Sequence, residues 1–229
     1  MPSQAELDLL LSDPEAFLRQ HAIRWAGKGP DTQQNITAAI IDATVDSQAR
    51  VRTASKFLGF GNAKANVSSF ILRDTAYASG QLGAPGTLQF PAVWSGYAAG
   101  QARDANLPTV GGPDIMFTPE FTGCAAVCTV NPDGSAKFSH YNLLQPGKAE
   151  TLDAVQMRAR AEETYDNGFH IMTKETQRTH GKAPVAAMRS TAIGFRRHGR
   201  WEFWVQHREV KAVGSTGSTI QIRAVVRLH

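Results

Sequence analysis

Apolar and polar positions alternate most regularly in the last third of the chain, where residues 192–197, 201–210 and 219–228 read as strands. The first two are separated by Arg197-His198-Gly199-Arg200, a Gly-bearing break that predicts a hairpin. Helical spacing is rarer. Leu7, Leu10 and Leu11 recur at it behind Ser3 and Glu6, which together form a capping box. Asp13 followed by Pro14 starts a second helix carrying Phe17, Leu18, His21 and Ile23, with Gly27 and Gly29 as its stop. A third, of about four turns, is expected from Thr151 as cap to Gly168. Its apolar face runs through Leu152, Ala154, Val155, Met157, Ala159, Ala161 and Tyr165.

Between these regions the pattern is less periodic. Residues 36–45 are densely apolar, and a buried strand and a short helix fit them equally. Residues 59–116 are rich in Gly, Ala, Pro and Ser, with apolar clusters at 69–72 and 88–94 that predict short strands joined by long loops. A further strand is expected at 169–172. Strands outnumber helices, so the expected class is α+β, an antiparallel or mixed β-sandwich-like core with flanking helices. The expected division is an N-terminal helical appendage over 1–35 and one α+β domain over 36–229.

Composition narrows the function more than the fold. A chain of 229 residues, 42% hydrophobic and 19% charged, is long enough for a substantial core. Cys124 and Cys128 are its two cysteines. Four apart in a strand, their Cα atoms would lie roughly 13 Å from each other, beyond disulfide reach. A net charge of +4 is ordinary and comes with no nucleic-acid motif, so nucleic acid is not an expected partner. No apolar run reaches membrane-spanning length, and residues 1–11 carry acids rather than a basic leader.

The chemistry concentrates in Phe117-Thr118-Pro119-Glu120-Phe121-Thr122-Gly123-Cys124 and the segment that follows it. Asn131-Pro132-Asp133-Gly134 is a type I turn signal with Gly available for a bulge, which predicts a three-residue hairpin loop. In that register Asn131 opposes Ser135 and Ala126 opposes His140. Cys124 and His140 then share a face as diagonal neighbours about 7 Å apart. A thiol becomes a useful nucleophile when a neighbouring histidine takes its proton. Gly123 removes bulk beside it and exposes the Cys124 amide as an oxyanion donor, with Thr122 flanking the approach. Thr118 is the candidate for orienting the imidazole.

Other readings of the same residues stay open. Cys124 and Cys128 can be small core hydrophobes, with His140 ending a strand. Cys-x3-Cys with one downstream His offers three metal ligands, short of a four-ligand zinc site, so no metal is assigned. Arg189, Arg196, Arg197, Arg200, Arg208 and Lys211, with Trp201, Phe203 and Trp204 among them, can make the hairpin 189–211 a non-catalytic binding platform. A two-faced sheet with one packed side accounts for the same alternation.

The tripeptide Thr122-Gly123-Cys124 followed on the next strand by His140 resembles the toxin deamidases that include cytotoxic necrotizing factor and Burkholderia lethal factor. Phe117-Thr118 stands at the offset of the lethal factor's aromatic-Thr pair, and 88–94 is similar to the family's Pro- and Trp-bearing strand. The Cys-to-His interval is longer here, and Cys128 is extra. The resemblance implies a cysteine hydrolase that converts a glutamine side-chain amide of a host protein to glutamate through a thioester, with no cofactor. Cys124, His140 and Thr118 would be catalytic. It further implies a secreted or injected bacterial effector that acts in the host cytoplasm; the chain itself is expected to be a monomer without a membrane partner. A cysteine protease or a transglutaminase shares the thioester step.

Overall fold

Strands that carry apolar residues on both sides must be covered on both sides, and this chain achieves that by stacking two sheets and capping the stack with helices. The computed structural model describes residues 4–25, 31–42, 49–51, 53–55, 63–65, 69–74, 88–165, 168–173, 188–213 and 217–229. Helices α1 (Gln4–Ser12) and α2 (Pro14–Gln20) come first. Strands β1 (Ala22–Trp25), β2 (Gln34–Asp42), β3 (Ala49–Val51), β4 (Thr53–Ser55), β5 (Ala63–Ala65) and β6 (Ser69–Asp74) follow. Then come β7 (Leu88–Trp94), β8 (Ala102–Leu107), β9 (Ile115–Phe117), β10 (Ala125–Val130) and β11 (Ala136–Tyr141). Helix α3 (Ala154–Thr164) precedes β12 (His170–Met172), β13 (Met188–Arg197), β14 (Arg200–Val213) and β15 (Gly217–Arg227).

A nine-stranded mixed sheet runs β1-β6-β2-β7-β9-β13-β14-β15-β3, and a four-stranded antiparallel sheet runs β12-β10-β11-β8. The α+β class with a β-rich, mixed and antiparallel core is therefore what the chain adopts. Three apolar layers hold it. Leu7, Leu10, Phe17 and Leu18 of the N-terminal helices pack on Trp94, Phe117, Ile193 and Phe195 of the large sheet. Met116, Phe121, Trp201 and Phe203 meet Ala126, Cys128 and Phe138 between the sheets. Ala125, Val127 and Tyr141 turn the other way, under Met157, Ala161 and Tyr165 around α3. This even-odd split along β10 is the two-residue pleat repeat of a doubly buried strand. Each large apolar side chain buried this way contributes about 1.5–3 kcal/mol.

Several elements differ in extent from the sequence pattern. Asp13 caps α2 as expected, its carboxylate accepting the Ala16 N–H at 3.0 Å, but the helix stops at Gln20 and Ile23 joins β1. Gln206, on β14, accounts for the early stop. Its amide accepts the Ile23 N–H and donates to the Leu18 and His21 carbonyls, so an inner strand satisfies the helix end. Helix α3 begins later than expected. Asp153, not Thr151, caps it and completes a capping box with Gln156, because Thr151 is bridged to Leu144 as extended chain. The ambiguous 36–45 segment is strand through Asp42. Ser3, Gly27 and Gly29, the other expected helix boundaries, lie outside the described residues. The described residues among 1–35 share the main core and sheet. Both helices feed the main core, β1 pairs with β6, and residue 35 falls inside β2.

Arg197 and Arg200 are paired at the end of the β13–β14 hairpin, leaving His198 (φ 52°) and Gly199 (φ 73°) as a two-residue turn. Two consecutive left-handed residues make the turn whose twist matches the strands. Trp201, Phe203 and Val205 are fully buried between the sheets, so the stacking platform considered for 189–211 is not presented to solvent. Three of its arginines are also committed internally. Arg196 holds Asp114 and the Gly111 and Gly112 carbonyls, Arg197 the Ser12 carbonyl and Glu202, and Arg208 Glu120 and Thr191. Among the described residues, no helix is long and apolar enough to cross a membrane.

Candidate functional site

The site is set by one turn. The Asn131 N–H donates to the Ser135 carbonyl at 2.8 Å and the Gly134 N–H to the Asn131 carbonyl at 2.9 Å. Asp133 accepts from the Ser135 amide at 2.9 Å and its hydroxyl at 2.7 Å. Gly134, at φ 89°, supplies the left-handed residue, and a Cβ there would approach the Gly199 carbonyl oxygen to 2.3 Å, where the two hairpin tips meet. The loop is the expected three residues. Ala126 pairs with His140 and Ala125 with Tyr141, and continuing that register places Asn142 across from Cys124. Cys124, Asn142 and His140 thus lie on one face.

Two of the three, Cys124 and Asn142, are joined with Tyr97 in a hydrogen-bonded chain beside the apolar inter-sheet layer. The Cys124 thiol donates to Asn142 Oδ1 at 3.3 Å, and Asn142 Nδ2 donates to the Tyr97 hydroxyl at 2.9 Å. Asn142 is fixed along the strand by its own N–H, which donates to the Gln101 carbonyl at 3.1 Å. His140, 1% exposed, has neither ring nitrogen hydrogen-bonded. Phe121 stacks on its face with centroids 4.1 Å apart, and Tyr97 meets it edge-on at 5.1 Å.

Burial decides the protonation of both groups. It lowers the His140 imidazole to about 3. It raises the Cys124 thiol to about 11, against a smaller opposing hydrogen bond from the Thr122 backbone. Desolvation disfavours the charged form of each, so thiol and imidazole are both neutral here. Thr122 is exposed and Gly123 half-buried, so the chain opens to solvent next to Cys124. A Cβ on Gly123 would meet Thr151 Oγ1 at 3.9 Å, so there is room beside this residue, while Cys124 itself is buried.

Thr118 makes no hydrogen bond to the imidazole of His140. Its buried hydroxyl accepts the Ala192 N–H at 3.2 Å and faces the Ala192 and Pro119 carbonyls at 3.2 and 3.0 Å. It therefore ties the end of β9 to β13. Cys128 shares the inter-sheet face but sits deep beside Phe138, and burial pushes its thiol up more strongly than that of Cys124. Both cysteines are free. Among the described residues no three His, Cys, Asp or Glu side chains converge as a metal site.

Asn142, Tyr97 and Phe121 escaped the sequence reading. Asn142 was within reach of it, because the register that pairs Ala126 with His140 also brings position 142 opposite 124. Tyr97 follows β7 of the other sheet, 45 residues before Asn142, and nothing local marks it. Comparison with protein-family models finds no match to this chain, and comparison with curated proteins finds none.

Proposed function

We propose that this chain is a cysteine-dependent amide hydrolase that deamidates a glutamine side chain of a host protein. The observation that supports the reading is Cys124 and His140 on one face of a single hairpin, with both imidazole nitrogens uncommitted and an open Thr122-Gly123 edge next to Cys124. In the reaction the thiol leaves Asn142 and passes its proton to His140, and the thiolate attacks the carboxamide carbon. The oxyanion is held by the Cys124 N–H. His140 returns the proton to the departing nitrogen, ammonia leaves, and a thioester remains. Water, deprotonated by His140, then hydrolyses it to glutamate and restores the thiol.

Starting from a thiol near 11 and an imidazole near 3, this first proton transfer is strongly uphill, at about 1.4 kcal/mol per pKa unit. The mutual attraction of the ion pair and a donor to the sulfur must recover much of that. The reading includes a bacterial effector delivered into a host cytoplasm, in line with the resemblance of Thr122-Gly123-Cys124 to the toxin deamidases. Mass spectrometry of host-cell lysate incubated with the protein or with Cys124→Ser tests it. Gln-to-Glu conversion that depends on Cys124 is the expected result, while peptide cleavage or amine incorporation at glutamine would assign the same thioester to a protease or a transglutaminase.

A further inference from the structure

We infer that Asn142, anchored by Tyr97, is a positioning residue that carries Cys124 from thiol to thiolate by reversing its side-chain amide. The inference rests on the Cys124–His140 reading above. A carboxamide presents an acceptor and a donor of nearly the same size, and a half-turn about Cβ–Cγ exchanges Oδ1 and Nδ2 without moving any neighbour. As the structure stands, the thiol donates to Oδ1 and Nδ2 donates to the Tyr97 oxygen. After the half-turn Nδ2 donates to the sulfur and the Tyr97 O–H donates to Oδ1. The chain of three side chains keeps its length, and each hydrogen bond reverses direction.

The two arrangements suit opposite protonation states. Oδ1 can accept only from S–H and would repel a thiolate. Nδ2 can donate to a thiolate, a charge-assisted bond about twice as strong as a neutral one. The sulfur proton goes to a ring nitrogen of His140, and neither of these has a competing partner. No proton crosses the amide, which only turns. Tyr97 links the two halves of the site, since its hydroxyl meets Asn142 and its ring edge meets the imidazole. Cys124 and Asn142 are both at most 5% exposed, so bulk water does not take over the amide's role at the sulfur.

The test is the pH dependence of Cys124 alkylation by iodoacetamide in the full chain, followed by mass spectrometry of the Cys124 peptide. It needs no substrate, so it stands whether or not deamidation is found. Asn142→Ala is expected to raise the midpoint of the profile by at least about one pH unit, a roughly tenfold slower reaction below the midpoint. Tyr97→Phe should shift it the same way by less, and Asn142→Asp further, because a carboxylate repels the thiolate. If folded Asn142→Ala leaves the midpoint in place or lowers it, the amide merely locks the neutral thiol and the inference is overturned. Should Asn142→Ala not fold, Tyr97→Phe decides, since it deletes one hydroxyl, and an unmoved midpoint overturns the inference equally. His140→Gln separates the two layers. A midpoint indifferent to His140 removes the dyad and the inference with it, whereas one that moves with His140 but not with Asn142 removes the inference alone.

Discussion

Phe121 lies nearly flat against the His140 imidazole, planes 24° apart, while its backbone is bridged to Ser190 on β13. The large sheet thereby presses an aromatic cover onto the imidazole carried by the small one. The cover is part of the burial that keeps the ring neutral, and it has a consequence for stability. The folded pKa, near 3, lies below the ordinary 6.5, so the unfolded chain binds a proton that the folded chain refuses. Stability is complete above about pH 6.5 and is lost as pH falls toward 3, by up to about 1.4 kcal/mol per unit. Urea unfolding of wild type and His140→Gln at pH 7 and pH 5 should show the wild type losing about 2 kcal/mol more than the variant over that interval. A wild type that gains on the variant at pH 5 would mean a charged, partnered imidazole.

Thr118 bridges strands, so its removal should affect the fold and not the chemistry. Thr118→Val keeps the shape, deletes the bonds to Ala192 and leaves that backbone N–H with one partner fewer. A loss of about 1–3 kcal/mol in denaturant unfolding is expected. The pH midpoint of Cys124 alkylation should stay where it is, and a shift in it would return Thr118 to the imidazole.

The two thiols should differ sharply. Cys128 is wholly buried beside Phe138, whereas Cys124 adjoins the open Thr122-Gly123 edge. Iodoacetamide should label Cys124 in the native protein and reach Cys128 only on unfolding. Cys128→Ala should cost about 1 kcal/mol of stability and leave Cys124 labelling unchanged. Faster labelling of Cys128 than of Cys124 would place the nucleophile at the wrong cysteine.

What could be read from the sequence was what local rules determine. Asn131-Pro132-Asp133-Gly134 states its own turn, and a pleat of period two carries that register outward to Cys124 and His140. Partnerships across the fold were not legible. Gln206 ends α2 from more than 180 residues away, and Ala192 claims Thr118 from 74 residues away. An offset before a cysteine cannot reveal that another strand has already taken the hydroxyl. Alternation also misled by being incomplete. Trp201, Phe203 and Val205 face the small sheet, while Trp204 and Gln206, on the opposite face of the strand, are covered as well, so the late hairpin has no broad solvated face at its centre.

The central claim is that Cys124 attacks a glutamine carboxamide with His140 as its base. Quantitative mass spectrometry of host-cell lysate treated with wild type, Cys124→Ser or His140→Gln reads it most directly. A set of glutamines gaining the roughly 1 Da of deamidation with wild type, and falling by several orders of magnitude in rate with either folded variant, is the expected result. Conversion that persists with Cys124→Ser, or no conversion with a wild type whose Cys124 is reactive, would contradict the account.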